Sequence, residues 1–369
     1  CIIASMKRIR QIHRLRSYIA PAAPATRAPC DGSESHLRVE FGFTPRWFHE
    51  RCGIDFSERW HTDPLYRGET VEQMRRELER CLPERGLIGN GPPANLDGVH
   101  GALTVALLFG IPARYCVDNW PAAEHAYLDP GQVAALEVPD IENAPAFAQI
   151  LEQMDVIEKA CGRIEGYLNW QGVLNNAYRL RGPEIFSDIV LDPGLTHHLF
   201  EVLARTMIAG MQYVYARQAE TGFVVRHATV SNCLVNMVSP ETYRAHLMPY
   251  DRMIADAFDH FGIHNCAWNV DPYIADYARF PLLGYVDMGL ESDLARARRL
   301  CPDARRALMY KPTDLADKPL EAIRADLERI RRELSPCDIV MADIDAHIPD
   351  DRVRAFARLA EQTLAARMA

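Results

Sequence analysis

The sequence predicts an α/β protein, and within that class a single-domain (β/α)₈ TIM barrel. Short apolar runs, polar loops and amphipathic helices repeat along most of the chain, which is typical of βαβ units on a parallel sheet. A length of 369 residues suits one such barrel. A doubly wound open sheet is the alternative, but no GxGxxG motif follows the first predicted strand.

Seven apolar runs are predicted to be buried strands, and an eighth is expected near residues 87–88 or earlier. The runs are 113–117, 163–168, 223–225, 262–263, 283–286, 306–309 and 338–341. Helical spacing at 47–51, 70–81 and 97–109 predicts an N-terminal helical extension of the barrel. Longer helices are predicted over 193–219, 239–261, 292–300, 318–334 and 350–368. Asp192-Pro193 and Ser239-Pro240 have the cap-then-proline form of a helix start.

Composition narrows the class of protein. No apolar stretch reaches the about 18 residues that a membrane span needs. A net charge of -9 argues against nucleic acid as the main partner. The ten cysteines are scattered and include no CxxC pair, so we expect reduced thiols and a cytoplasmic location.

The N-terminus differs in charge from the rest of the chain. Residues 1–30 carry six Lys and Arg and no acidic residue before Asp31. We therefore predict a basic, disordered extension over 1–36 and a barrel over 37–369. A transit peptide and a lipidated Cys1 remain alternatives for this segment.

Polar side chains follow nearly every predicted strand. In a barrel of this type the chemistry lies at the carboxyl ends of the strands, so these side chains are the candidate site. They are Asp118-Asn119-Trp120, Asn169-Trp170-Gln171, Arg226-His227, His264-Asn265-Cys266, Asp287-Met288, Tyr310-Lys311 and Asp343-Ile344-Asp345.

His264-x-Cys266 is the sharpest pattern among them. Residues i and i+2 of an extended segment point to the same side, so imidazole and thiolate can bind one metal ion. Zinc favours such nitrogen and sulfur ligands. A third ligand must come from another strand end, and we predict Asp345, with Asp343 next. Cys337 precedes the last strand and should lie at the opposite end of the barrel.

These residues carry a resemblance to a known family. Gly262-Ile-His-Asn-Cys266 resembles a hydrophobic-His-x-Cys-Gly zinc motif. Gly166-Tyr-Leu-Asn-Trp-Gln-Gly172 resembles a glycine-bearing loop after the third strand, and Val238-Ser-Pro-Glu241 with Met248-Pro-Tyr250 the helix after the fourth. Over roughly residues 110–365 the chain is similar to the uroporphyrinogen decarboxylase superfamily. Within it, the nearest members are the zinc-dependent corrinoid methyltransferases of the methylcobalamin:coenzyme M and O-demethylase types.

The resemblance implies a methyltransferase that binds zinc at His264 and Cys266. A methyl group would pass between a small-molecule donor or acceptor and methylcobalamin or another corrinoid, supplied in trans by a partner protein. Ala267 and Asp345 depart from the family, where a glycine and a Cys or His are expected. A carboxylate ligand would make the ion harder and favour an oxygen atom of the substrate. A homodimeric assembly is left open.

Further site residues are predicted, and for each of them a purely structural role is the alternative. Catalytic candidates are Asp118, His227 and Tyr310, and substrate-binding candidates are Asn169, Asn269 and Asp287. Asp118 lies where the decarboxylases keep a substrate-binding Asp, although a plain turn residue fits equally well. The missing arginine-rich N-terminal loop argues against porphyrinogen substrates. A decarboxylase or lyase acting on a small carboxylate and a noncatalytic metal-binding barrel are the competing functions.

Overall fold

A parallel sheet is the framework of the molecule in the computed structural model, which describes residues 27–31, 37–82, 92–124 and 127–365. The described residues form eight strands, of which six make up this parallel sheet in the order β1-β8-β7-β6-β5-β4 and two make up a small antiparallel ribbon. The strands are β1 Leu37–Phe43, β2 Ala113–Arg114, β3 Ala122–Ala123, β4 His227–Ser231, β5 His260–His264, β6 Leu283–Met288, β7 Arg305–Met309 and β8 Cys337–Ile344.

Helices connect and cover the strands. They are α1 Pro45–Cys52, α2 Glu58–Thr62, α3 Pro64–Cys81, α4 Thr104–Leu108, α5 Pro130–Ala134, α6 Pro145–Cys161, α7 Val173–Arg181, α8 Glu184–Leu191, α9 Pro193–Glu220, α10 Pro240–Thr242, α11 Met248–Ala255, α12 Ile274–Tyr277, α13 Leu294–Leu300, α14 Pro312–Asp317, α15 Leu320–Glu333 and α16 Asp350–Ala365. Across the parts of the chain with described structure, no helix is both long and apolar enough to span a membrane.

The predicted α/β class is confirmed, but a closed eight-stranded barrel is not found among the described residues. Run 113–117 supplies the first strand of the ribbon, and run 163–168 contains no strand. The chain around Glu165 still lies beside the chain around Leu96, because the backbone N of Leu96 donates to the Glu165 carbonyl at 2.9 Å. Residues 87–88 lie outside the described residues. The architecture is therefore a six-stranded, TIM-barrel-like parallel sheet.

The position of β4 also differs from the prediction. Residues 223–225 are apolar, yet Val224 is 60% exposed and the strand begins only at His227. All five residues of β4 are buried, and parallel pairing aligns Ser231 with His264 of β5. The carboxyl end of β4 is consequently at Ser231, some six residues beyond the predicted end.

Helix starts follow the predicted caps. Asp192 accepts a hydrogen bond from Leu195 N at 3.1 Å before α9, and Ser239 accepts one from Thr242 N at 3.1 Å before α10. The predicted helix 239–261 is too long, however. It is broken by a π-helical turn at Tyr243–Leu247 and ends at Ala255, and β5 begins at His260.

Part of the predicted N-terminal extension is described, and it packs against the sheet. The Thr229 hydroxyl donates to the Arg27 carbonyl at 3.1 Å, and Arg305 Nη1 donates to the Pro29 carbonyl at 3.1 Å. Arg305 is the first residue of β7, so this segment crosses the amino ends of the strands. Residues 1–26 and 32–36 of the predicted extension lie outside the described residues.

Two buried histidines connect α2 to the loop before α4. His61 is 0% and His100 1% exposed, and the backbone N of His100 donates to His61 Nδ1 at 3.1 Å. Burial, together with the charges of His100 and Arg67, lowers the pKa of His61 to about 3. Burial and Arg67 lower the pKa of His100 to about 4. Both rings are therefore neutral in the fold.

This pair predicts a loss of stability in acid. An unfolded histidine has a pKa near 6.5, so the unfolded state binds protons that the folded state excludes as the pH falls from about 6.5 toward 4. The unfolding free energy should fall by up to about 1.4 kcal/mol per pH unit for each such histidine. Urea unfolding of His61→Asn should show a shallower fall over this range than the wild type.

The variant His61→Asn isolates the effect because an Asn oxygen can still accept from the His100 N–H. His347→Asn, which replaces an exposed histidine, is the matched control and should keep the wild-type slope. Equal slopes for His61→Asn and the wild type would contradict the assignment.

Candidate metal centre

The candidate site is formed at the carboxyl ends of the neighbouring strands β4 and β5. Asn232 N donates to the His264 carbonyl at 2.7 Å, which continues the strand pairing by one residue. Cys233 and Cys266 follow their strands by the same distance, since Ser231 pairs with His264. The chain thereby brings together one ligand atom from each of Cys233, His264 and Cys266, all within 4.8 Å of one another.

The three side chains are in direct contact. The two Sγ atoms are 2.6 Å apart, both thiols being free, and Cys266 Sγ lies 3.3 Å from His264 Nε2. The Ser231 hydroxyl is 2.9 Å from Cys233 Sγ. Cys266 has a φ of 58°, in the left-handed region that non-glycine residues rarely adopt. Such backbone strain is typical of positions where a side chain must be aimed at a site.

The two thiols do not ionise independently. The hydrogen bond from Cys266 lowers the pKa of Cys233 well below its usual value, and the positive charge of His264 acts in the same direction against burial. That hydrogen bond and burial raise the pKa of Cys266, as does the negative charge that Cys233 then carries. One thiolate forms readily here, and a second needs a positive charge beside it. A bound cation would supply that charge.

Asp287 fixes the orientation of the His264 ring through a hydrogen bond. Its Oδ2 lies 2.6 Å from His264 Nδ1, while its Oδ1 accepts from Asn265 N at 2.6 Å. Tyr285 OH also donates to Oδ2 at 2.9 Å, and Arg27 Nε lies 3.6 Å away. With Nδ1 committed to a carboxylate, Nε2 faces the sulfurs, the arrangement found at histidine ligands of metals. Burial opposes protonation of His264, but Asp287 outweighs it and raises the pKa to about 9.

The two Cys-bearing turns are held by a pair of asparagines. Asn232 donates to the buried Asp251 Oδ2 at 2.8 Å. Asn265 donates to the Asp287 carbonyl at 2.8 Å and accepts from Tyr277 OH at 3.0 Å. Each turn is thus anchored by the buried asparagine that immediately precedes its cysteine. The positions of the sulfurs are set by the protein and not by solvent.

A chain of amides lies on the other side of Cys233. Asn169 Oδ1 accepts from Gln171 Nε2 at 2.8 Å, Gln171 accepts from Asn175 at 3.1 Å, and Asn175 accepts from Leu234 N at 3.1 Å. A Cβ on Gly172 would lie 2.4 Å from the Ser231 carbonyl oxygen, so only glycine allows this loop to approach β4.

A cavity of about 430 Å³ opens beside this chain and reaches Cys233. A small molecule could therefore approach the cluster from the side of Cys233.

The predicted metal pair is thus found together, but the third member of the cluster is Cys233 and not Asp345. Asp345 Oδ1 accepts from Ala346 N at 2.6 Å and from the Thr44 hydroxyl at 3.4 Å, which stabilises the turn after β8. Asp343 is exposed at the rim, where partial desolvation raises the pKa of its carboxyl against the opposing charges of His264 and Arg27. Cys337 begins β8 at the far end of the sheet, as predicted.

Of the other predicted site residues, Asp287 and Asn169 lie near the cluster, whereas Asn269 and Asp118 do not. Asp287 is fully buried beneath His264, and Asn169 belongs to the amide chain near the cavity. Asn269 is exposed and accepts from Asp271 N at 2.8 Å within a turn. Asp118 pairs with Arg46 at the surface, with an Nε to Oδ2 distance of 3.3 Å.

His227 and Tyr310 do not reach the cluster. His227 begins β4, at the opposite end from Cys233, and its ring lies 6.1 Å from that of Tyr167. Tyr310 is buried among the outer helices, where its hydroxyl donates to Asp326 at 2.7 Å and its ring packs on Phe356.

Sequence reasoning missed Cys233 because it ended β4 too early. A signal was available in the sequence. Ser231-Asn232-Cys233 and His264-Asn265-Cys266 share the pattern polar-Asn-Cys, and each begins at the last residue of a strand.

Comparisons with known proteins give a likeness of fold. A methyltransferase from Methanosarcina mazei superposes with a TM-score of 0.60 at 15% identity, covering 85% of this chain and 90% of that one. A structure described as a vitamin-B12 independent methionine synthase from Listeria monocytogenes gives a TM-score of 0.35 at 16% identity, covering 52% and 62%, which is too low to support an argument. No protein-family model matches the sequence. No curated protein matches it either.

The first prediction for the site concerns its third ligand. Cys233→Ser and Cys266→Ser should each lose most zinc, because a three-ligand site depends on every ligand. Asp345→Ala should keep stoichiometric zinc and lose only about 1 kcal/mol of stability from its turn. Zinc per chain, measured by atomic emission after dialysis, tests both. Loss of zinc in Asp345→Ala with retention in Cys233→Ser would reverse the assignment.

A second prediction concerns Asp287. Asp287→Asn should weaken zinc binding by about 10- to 100-fold, since the carboxylate no longer orients the imidazole. Competition with a chromophoric chelator measures this affinity. Tyr285→Phe removes a neighbouring hydrogen bond to the same oxygen and is the control, with a smaller effect. An unchanged affinity in Asp287→Asn would show that the carboxylate serves the fold alone.

Proposed function

We propose that this chain is a zinc-dependent methyltransferase that moves a methyl group between a small substrate and a corrinoid cofactor carried by a partner protein. The observation that carries the proposal is the cluster of Cys233, His264 and Cys266 at neighbouring carboxyl ends of a parallel sheet, with a cavity reaching one sulfur. The shared fold with a methyltransferase supports it.

The donor set fits zinc. One imidazole nitrogen and two thiol sulfurs are ligands that zinc prefers, and three protein ligands leave the fourth position for substrate. The coupled ionisation of the two thiols is consistent with a site that needs a cation to hold both as thiolates. When bound, zinc would act as a Lewis acid on a heteroatom of the substrate.

The residues around the cluster have distinct tasks in this proposal. Asp287 holds the Nδ1 proton of His264 and keeps Nε2 directed at the metal position. Asn232 and Asn265 hold the two turns so that the sulfurs stay in place without substrate. The amide chain through Gln171 and Asn175 forms a fixed polar wall beside the cavity.

The ligand set also bears on the reacting atom of the substrate. A site with Asp345 as third ligand would hold a harder ion, suited to oxygen. With Cys233 in that place the donor set has two sulfurs and is softer, so sulfur of a thiol or thioether becomes the favoured heteroatom. We therefore propose that the substrate atom which binds the metal ion is sulfur, where the sequence had led us to expect oxygen.

The proposal predicts the cofactor requirement. Methylation of a small thiol should proceed with methylcobalamin and should not proceed with S-adenosylmethionine alone. His264→Ala should reduce the rate by at least about 100-fold, since the metal is lost. The cobalamin absorbance spectrum follows the transfer directly.

Asp118→Asn is the matched control for this experiment, because Asp118 is at the surface and paired with Arg46. It should keep wild-type activity. Turnover with S-adenosylmethionine as the sole methyl donor would count against the corrinoid.

A further inference from the structure

A pair of histidines lies outside the Cys-His-Cys cluster, where the start of α9 meets the π-helical turn Tyr243–Leu247. His197 of α9 and His246 of that turn face each other, with 3.3 Å between His197 Nε2 and His246 Nδ1. The ring centroids are 5.2 Å apart, and both side chains are half-buried, so solvent ions can reach them. The proposed methyl transfer uses neither residue. Single π-helical turns within helices are frequent at functional sites.

The hydrogen bonds around His197 determine which of its ring nitrogens can bind a metal ion. Tyr250 OH donates to the His197 carbonyl at 3.1 Å, so the single proton of this hydroxyl is already used. In the contact of 2.7 Å between His197 Nδ1 and the Tyr250 oxygen, the donor is therefore Nδ1. A neutral ring with its proton on Nδ1 has a lone pair on Nε2, the atom that faces His246. Metal-binding histidines are oriented in the same way, through a hydrogen bond from the other ring nitrogen.

The spacing of the two nitrogens suits one ion. Two ligands that lie about 2.0–2.1 Å from zinc in tetrahedral geometry are about 3.3–3.4 Å from each other. The observed distance between His197 Nε2 and His246 Nδ1 is 3.3 Å. Burial and the charge of His197 lower the pKa of His246, which favours the neutral ring and its lone pair. Both rings can therefore offer a nitrogen to the same ion.

A carboxylate lies one helical turn from His197. Glu201 is four residues further along α9, and residues i and i+4 of a helix share a face, a spacing at which helices present two ligands to one zinc ion. Burial and the negative charge of Glu201 raise the pKa of Tyr250, so the carboxylate is close to the histidine pair. Glu201 Oε1 accepts from Arg205 Nε at 2.9 Å. Both of these side chains are roughly half exposed, which leaves the carboxylate room to turn toward an ion.

We propose that His197 and His246 form a second metal site, with Glu201 as its third ligand, which binds a divalent transition-metal ion such as zinc. Two imidazoles and a carboxylate suit zinc, copper or nickel, whereas magnesium prefers oxygen ligands alone. The ion ties α9 to the π-helical turn that leads into α11. On α11, Asp251 accepts the hydrogen bond from Asn232 that holds one turn of the metal centre, so the second ion stabilises that frame. This inference does not depend on the proposed function.

Zinc titration of the full-length protein tests the proposal. Wild type should bind two zinc ions per chain in titration calorimetry, and His246→Asn should bind one because it lacks the second imidazole. Glu201→Gln should weaken the second ion by at least about tenfold, since losing a ligand costs no less than losing the hydrogen-bond partner of a ligand. His198→Asn is the matched control and should keep both ions. His198 is the next residue on α9, but its Nε2 lies 3.0 Å from the Leu136 carbonyl.

Cys266→Ser separates the second site from the metal centre, because it should lose the first ion and keep the second. One ion per chain in wild type, kept in His246→Asn and lost in Cys266→Ser, would overturn the second site and leave the metal centre intact. One ion that is lost in His246→Asn and kept in Cys266→Ser would support the second site and count against the zinc enzyme. If His246→Asn does not fold, thermal unfolding of Cys266→Ser decides. Zinc, and not magnesium, should raise its melting temperature, and equal effects of the two ions would contradict the site.

Discussion

The hydrogen bond between His264 Nδ1 and Asp287 Oδ2 is the interaction on which the candidate site depends. Asp287 is completely buried, so every lone pair it leaves unpaired would be costly. His264, Tyr285 and the backbone of Asn265 all donate or lie within hydrogen-bond distance. The same contacts that satisfy the carboxylate fix the imidazole and the turn that carries Cys266. One hydrogen-bond network therefore both stabilises the sheet interior and fixes the geometry of the site.

Features of the fold that depend on local sequence were predictable. Alternating apolar runs and amphipathic helices gave the α/β class, and the caps at Asp192 and Ser239 gave two helix starts. His264 and Cys266 could be assigned to one site because residues two apart on an extended segment point to the same side, whichever strands lie next to it. The number of strands in the sheet and the start of β4 were not predictable in this way. The run 223–225 is more apolar than His227–Ser231, yet the second segment is the one that pairs with β5.

Site residues were predictable only where their direction was fixed by the strand itself. Tyr310 and Asp118 were chosen because polar side chains follow apolar runs, but a shift of one residue turns a side chain from the site to the helices. Tyr310 shows this outcome in its contact with Asp326. Cys233 was missed for the complementary reason, since its strand was placed too early. Asp345 was chosen because it follows the last predicted strand, and its contact with the backbone of Ala346 explains why an Asp suits that turn.

The pairing of Ser231 with His264 has one more consequence. Neighbouring parallel strands lie about 4.8 Å apart, and this interval is a property of the peptide backbone that side-chain changes hardly alter. Two polar-Asn-Cys tripeptides in register therefore start from strand ends whose spacing the sheet dictates, and the turns that follow bring the two sulfurs to 2.6 Å from each other. Helices α10 and α11, which join the two strands, can lengthen or diverge without moving either tripeptide. Two copies of that tripeptide about 30 residues apart thus form a searchable signature that is independent of overall similarity.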